Sequence, residues 1–218
     1  MGKNDMVIDE RLFSFIQSFE PPYPDYLYTL RREALENDVP IVREDMQGLL
    51  RFLMQTRKPE RILEVGTAVG FSALLMGEYA PEGCHITTIE KYEKRIPVAR
   101  ENFRKAGMED TITLLEGDAC EILGSLQEPF DFIFMDAAKG QYIHFLPDVK
   151  RLLTPGGALV SDNVLQDGEV LESRYAVTRR NRTIHSRMRE YLYALKHDPD
   201  LSTVILPVGD GVTISIKR

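Results

Sequence analysis

The sequence predicts an α/β fold: a mostly parallel sheet of seven strands, preceded by extra N-terminal helices and ending in an antiparallel hairpin. Three observations lead there. From residue 61 onward, short apolar runs of strand type alternate with helical patterns, the signature of a parallel sheet covered on both faces. Before residue 57 the periodicity is helical throughout. At the end of the chain, LSTVILPV and GVTISIKR flank Gly209 and Asp210, which reads as a β-hairpin and sets a reversed strand beside the parallel ones.

Residues 7–19 carry Val7, Ile8, Leu12, Phe15, Ile16 and Phe19 on related faces of an amphipathic helix. PPYP at 21–24 breaks it, and helices follow over 25–37 and 42–56. RILEV at 61–65 is the first strand, Phe71 to Tyr79 a helix, HITTIE at 85–90 the second strand, and Tyr92 to Ala106 the next helix. Further strands begin near 111, 130 and 157, with helices between them. The 218 residues suffice for one substantial core and are too few for two. The division expected is 1–57 for the N-terminal helices and 58–218 for the core of a single domain.

Composition is that of an ordinary globular protein, with 43% hydrophobic and 28% charged residues. Apolar stretches fall short of the roughly eighteen residues that cross a membrane, and MGKNDMVIDE has acids where a signal peptide needs apolar residues, so a cytoplasmic location is expected. Cys84 and Cys120 lack metal-type spacing and make no disulfide framework. His85, His144, His185 and His197 form no ligand spacing and read as surface or satisfied core residues.

Three motifs carry the chemistry. In EVGTAVGFS at 64–72, Gly66 and Gly70 bracket a strand-to-helix turn where missing side chains let a ligand approach the backbone. The dinucleotide fingerprint is G-x-G-x-x-G, whereas here the spacing is G-x-x-x-G with Ala68 in the middle. Glu64 would repel a pyrophosphate and suits a cationic amino group or sulfonium. An NAD(P)-dependent oxidoreductase is therefore only a remote alternative. Glu90, ending the second strand, is placed to accept bonds from ribose hydroxyls, and Gly117, Asp118 and Ala119 form a short turn able to cover an adenine edge. FMDAAK at 134–139 and SDN at 161–163 supply Asp136, Asp162 and Asn163, hard oxygen donors suited to Mg²⁺ or Mn²⁺ rather than zinc. Two carboxylates and an amide leave three octahedral positions open, enough to chelate a substrate with two adjacent oxygens. Helix capping by Asp136 and a tight turn at the Asp-Asn pair are the structural alternatives. Lys139, three residues past Asp136, can face the same cleft, where a neighbouring cation would disfavour its ammonium form and let it take a substrate proton as general base; a solvated helix lysine is the alternative.

The ordered set EVGTAVG, TIE, EGDA, FDFIFMDAAK and LLTPGGALVSDNVL resembles the class I S-adenosylmethionine-dependent methyltransferases from about residue 40 to the C-terminus. Within them it resembles the cation-dependent O-methyltransferases that include catechol and caffeoyl-coenzyme A O-methyltransferases. It is most similar to the small bacterial members, to which tRNA 5-hydroxyuridine methyltransferases belong. The resemblance implies a Rossmann-like fold and S-adenosylmethionine held by Val42, Glu64, Gly66, Gly70, Ser72, Glu90, Asp118, Ala119 and Asp136. It further implies a divalent cation on Asp136, Asp162 and Asn163, catalysis by Lys139 and Asp136, and a homodimer formed through the N-terminal helices.

The acceptor is read from charge. SRYAVTRRNRTIHSRMR at 173–189 has six arginines and no acid in a chain of net charge −7. Such a local stripe, including Arg174, Arg179, Arg180 and Arg182, can provide an electrostatic footprint for RNA. Pairing with acids elsewhere in the fold or a subunit contact would account for it equally. Arg31, Arg32 and Arg43 are expected to extend the same surface. 5-Hydroxyuridine places its hydroxyl beside the O4 carbonyl, offering the adjacent oxygens that a catechol offers, and an unstacked anticodon-loop base is accessible. The leading expectation is methylation of 5-hydroxyuridine to 5-methoxyuridine at the wobble position of tRNA. The alternative is a small catechol-like phenol or a caffeoyl-type substrate.

Overall fold

The computed structural model describes residues 10–218; the predicted helical positions Val7 and Ile8 lie outside them. In chain order the elements are α1 (Glu10–Gln17), α2 (Asp25–Glu36), α3 (Glu44–Arg57), β1 (Arg61–Val65), α4 (Phe71–Tyr79), β2 (His85–Glu90), α5 (Ile96–Lys105), β3 (Ile112–Glu116), α6 (Ala119–Ser125), β4 (Phe130–Met135), α7 (Tyr142–Leu152), β5 (Leu153–Ser161), α8 (Arg182–His197), β6 (Leu201–Leu206) and β7 (Val212–Lys217). The strands form one sheet in the order β3-β2-β1-β4-β5-β7-β6. β1 to β5 pair parallel, β7 runs antiparallel to β5, and β6 pairs antiparallel with β7. The strand order reverses between β1 and β4, and at such a switch point the loops leaving the two strands part to opposite faces and open a crevice.

Strand periodicity builds the two apolar layers. In β4, Phe132 and Phe134 point to one face, where they join Leu50, Met54, Phe71 and Leu74 beneath the N-terminal helices and α4. Ile133 and Met135 point to the other, against Leu63, Tyr142, Val149 and Tyr191. Because both faces are covered, β4 (FDFIFM) reads as a nearly unbroken hydrophobic run, and Ile62 to Val65 of β1 are all buried, Glu64 included.

Three boundaries differ from expectation for local reasons. α5 begins at Ile96 rather than Tyr92, since the Glu90 carboxylate accepts the Lys91 and Tyr92 amides and Arg95 N–H bonds back to Tyr92 O at 2.8 Å, making a separate turn. Pro97 then sits in the first turn of α5, where its missing N–H costs nothing. β5 starts at Leu153 instead of near 157, with a register shift against β4 between Phe130 and Phe132. α3 starts at Glu44, its first turn carrying Glu44 and Asp45 where the helix dipole favours acids.

Gly70 caps α4 at φ +85°, and a Cβ there would lie 2.4 Å from Phe103 Cε1 on α5. Its glycine therefore serves helix packing. Gly70→Ala should cost about 1–3 kcal/mol from strain and overpacking, lowering the melting temperature by about 2–4 °C per kcal/mol. Adding Phe103→Leu should recover part of the loss in thermal unfolding; no recovery would show that Phe103 is not the obstacle.

Candidate active site

The carboxyl ends of β1 to β5 border a cavity of about 660 Å³. Val42, Gly66, Ser72, Glu90, Asp118 and Ala119 line it, as do Asp136, Lys139, Asp162 and Asn163. Two of the residues expected around a cofactor are not in its wall. Gly70 faces Phe103, as described above. Glu64 is fully buried, its Oε2 accepting from Thr88 Oγ1, which in turn lies 2.6 Å from Thr67 Oγ1. The period of the strand explains this: Glu64 precedes the turn and points into the sheet layer, while the turn itself meets the cavity. Its Oε1 has no hydrogen-bond partner among the described residues, an acceptor left open in the layer behind Gly66 and Ser72. Burial pushes the Glu64 carboxyl up to about 7, against the bonds from Ser72 and Thr88.

Gly66 lines the cavity, yet its missing side chain has a second reason: at φ +108° a Cβ would lie 2.1 Å from the Asp136 carbonyl oxygen. The turn after β1 and the end of β4 thus touch through backbone. Glu90 orders the same turn, accepting the Ala68 amide at 2.8 Å while Ala68 holds φ +47°. Asp118 caps α6 by accepting the Cys120 N–H at 2.9 Å, and that bond, with Lys91 beside it, holds the carboxyl below its ordinary value.

On the other side of the switch point, the acids are short of counter-charge. Asp162 is 2% exposed; burial first, then the charge of Asp136, raises its carboxyl. Burial also raises Asp136, with Lys139 opposing. The Asp136 carboxylate makes no hydrogen bond among the described residues, and Asp162 Oδ1 accepts only the Asn163 N–H, at 2.7 Å. Asn163 stands at φ +57°, a left-handed geometry that asparagine tolerates, and this turns the chain directly after the strand. The Tyr142 hydroxyl, unnoticed in the sequence, donates within reach of both Met135 O and Asp162 O at 3.0 and 3.1 Å, joining the ends of β4 and β5. Among the described residues no group of three or more His, Cys, Asp or Glu side chains is arranged to hold a metal. The oxygen set here is two carboxylates and an amide, and its uncompensated negative charge fits a hard cation.

Lys139 opens the 3₁₀ turn Lys139–Gln141 after β4, and its Nζ lies 3.1 Å from Asp210 Oδ2. Asp210, 1% exposed, also lines the cavity. In the sequence Asp210 reads only as a hairpin residue. The available signal was topological: β7 runs antiparallel to β5 with Thr213 opposite Ser161, which brings the hairpin turn back beside Asp162.

The arginine stripe divides. Arg182, Arg187 and Arg189 bond to backbone carbonyls of Val177, Gly140 and Val170 and are part of the fold. Arg174, Arg179 and Arg180 are exposed and have no hydrogen bond or ion pair among the described residues. Internal acids do not account for these three. Arg31, Arg32 and Arg43, by contrast, pair with Glu44, Glu36 and Asp167, which neutralises the proposed extension of the stripe.

A reversed strand at the edge of a doubly covered parallel sheet, with a G-x-x-x-G turn and an acid at the end of β2 facing one crevice, defines a class I S-adenosylmethionine-dependent methyltransferase. The O-methyltransferase family model matches residues 17–218, and the chain belongs to that family. It is 37% identical over 127 residues to a catechol O-methyltransferase of Niastella koreensis, a match spanning 56% of this chain and 58% of that protein. A caffeoyl-CoA O-methyltransferase of Eucalyptus gunnii is 29% identical over 98% of this chain and 90% of its own length. The SAH-bound structure of a Podospora anserina methyltransferase superposes with a TM-score of 0.86, at 27% identity, over 100% of both chains.

A carboxyl raised on folding stabilises the fold fully below its unfolded value, 4.5 for Glu64, and loses that contribution as pH rises through about 7. Glu64→Gln should remove a fall of on the order of 3 kcal/mol in unfolding free energy across that window. Denaturant titrations of the ligand-free protein at several pH values read it directly; identical profiles for the two proteins would contradict the assignment.

Proposed function

We propose that this O-methyltransferase transfers the methyl group of S-adenosylmethionine to one of two adjacent oxygens on a ring, with tRNA 5-hydroxyuridine as the acceptor. The chemistry is supported by the convergence of Asp136, Asp162, Asn163 and Lys139 on one cavity. In this reading Val42, Gly66, Ser72, Glu90, Asp118 and Ala119 cradle the cofactor. Asp136, Asp162 and Asn163 would hold a divalent cation, Mg²⁺ or Mn²⁺. When bound, that ion would supply Lewis acidity and orient the two oxygens. Lys139 takes the hydroxyl proton at Nζ, so the oxygen reaches the methyl carbon as an anion.

The observation favouring RNA is the trio of unpaired arginines on the segment that leaves the site, accompanied by Tyr175 at 86% exposure, an aromatic surface on which a base can stack. No helix among the described residues is long and apolar enough to cross a membrane. The second reading, a catechol or a caffeoyl-type ester, draws on the names of the relatives. We also infer a homodimer covering Phe15, Ile16 and Phe19, which α1 leaves exposed.

Chelator should abolish methyl transfer and added Mg²⁺ or Mn²⁺ should restore it, while Asp162→Ala should resist rescue at the same concentrations. Full turnover in excess chelator would remove the cation from the mechanism.

The acceptor is decided with labelled S-adenosylmethionine, tRNA lacking the 5-methoxy group, and a catechol. If Arg174, Arg179 and Arg180 meet phosphates, each alanine substitution should weaken tRNA binding and make the salt slope shallower by about 0.7 to 0.9. Catechol turnover should stay unchanged. Parallel loss on both acceptors would assign the arginines a structural role, and absence of tRNA methylation by the unmutated protein would favour the small phenol.

A further inference from the structure

A lysine carries four rotatable bonds, and the Lys139 side chain is one-third exposed, so by itself Nζ would range over the cavity mouth. What restrains it is Asp210, whose carboxylate is fixed from several directions. Oδ2 meets Lys139 Nζ and Oδ1 accepts the Asp167 N–H. The Asp210 carbonyl accepts the Leu165 N–H at 2.9 Å, and the Val164 N–H bonds to Gly211 O at the same distance. The two flanking glycines make this possible. Gly209 and Gly211 have φ of +56° and +82°, and a Cβ on Gly211 would fall 2.2 Å from Leu165 Cγ. The Gly-Asp-Gly turn is therefore zipped onto the segment that begins one residue after Asn163.

We propose that Asp210 is a positioning residue for methyl transfer, holding Lys139 Nζ in register with the Asp162–Asn163 strand end through one rigid turn. The proposal rests on Lys139 acting as the base. Other charged groups surround the turn: Asp162 and Arg43 both feel the Asp210 charge, and Arg43 pairs with Asp167 at 2.7 Å. Of these contacts, Lys139 is the one that carries the position of a proton acceptor. The Asp167 N–H and the backbone bonds fix the carboxylate itself, which leaves Oδ2 aimed at a single side chain.

Asp210→Asn separates the two roles. Its amide oxygen can still accept the Asp167 N–H, whereas its NH₂ removes the acceptor oxygen that holds Nζ. The assay is single-turnover transfer from labelled S-adenosylmethionine to whichever of tRNA and catechol the protein methylates faster. The expected result is a rate about 10- to 100-fold lower, with cofactor affinity and melting temperature close to those of the unmutated protein. In a Lys139→Met background the same substitution should cost less than twofold, because there is no Nζ left to position. Should Asp210→Asn not fold, Asp210→Glu keeps the charge and displaces Nζ by about one methylene, with the same expected split between rate and affinity. Full rate in Asp210→Asn while Lys139→Met is inactive would overturn the proposal, as would equal losses in both backgrounds. A Lys139→Met protein at full rate would instead overturn the reading of Lys139 as base, a result distinct from either of these.

Discussion

The structure turns on two carboxyls, Asp136 and Asp162, buried at the ends of neighbouring parallel strands. Like charges in a poorly solvated place are costly, and proteins retain them only where something else compensates. Here the compensation from within the chain is partial. Lys139 opposes the rise of Asp136 but is itself held by Asp210, and Asp162 receives one backbone N–H. The site is short of positive charge, and that shortage defines what it can bind.

Everything that brings the acids together is a consequence of sheet architecture. Parallel pairing sets Met135 beside Ser161, so the next residue of each strand emerges at the same edge. Tyr142 then ties the two strand ends through their carbonyls, and Gly66 lets the β1 turn pack onto the Asp136 backbone. The β1 turn and the acid side of the crevice are thereby joined by main chain. A change at Gly66 would move both.

The fold was legible because periodicity carries it. The alternation after residue 61 and the terminal hairpin locate all seven strands, and the errors fall at ends, where Glu90 and a bulge at the start of β5 decide the boundary rather than propensity. The convergence of side chains was legible where they lie in a contiguous motif: Asp136 with Lys139, and Asp162 with Asn163, all of which line one cavity. It was less legible where a residue's surroundings depend on neighbours distant in sequence. Glu64 and Gly70 look like cofactor residues in EVGTAVGFS, but Glu64 is buried against Thr88 of β2, Gly70 packs against Phe103, and neither lines the cavity. Asp210 was missed because its partner lies 71 residues away. The arginine stripe could not be divided by composition, since only the fold reveals which guanidinium groups reach a carbonyl.

The most direct measurement compares thermal unfolding of the unmutated protein and Asp162→Asn at pH 8, each in chelator and in Mg²⁺. If two uncompensated acids govern the site, Asp162→Asn in chelator should be at least as stable as the unmutated protein, since one buried charge has been removed without changing shape. Mg²⁺ should raise the melting temperature of the unmutated protein and leave that of Asp162→Asn nearly unmoved. An Asp162→Asn protein that is markedly less stable in chelator, together with equal or absent responses to Mg²⁺ in both, would contradict it.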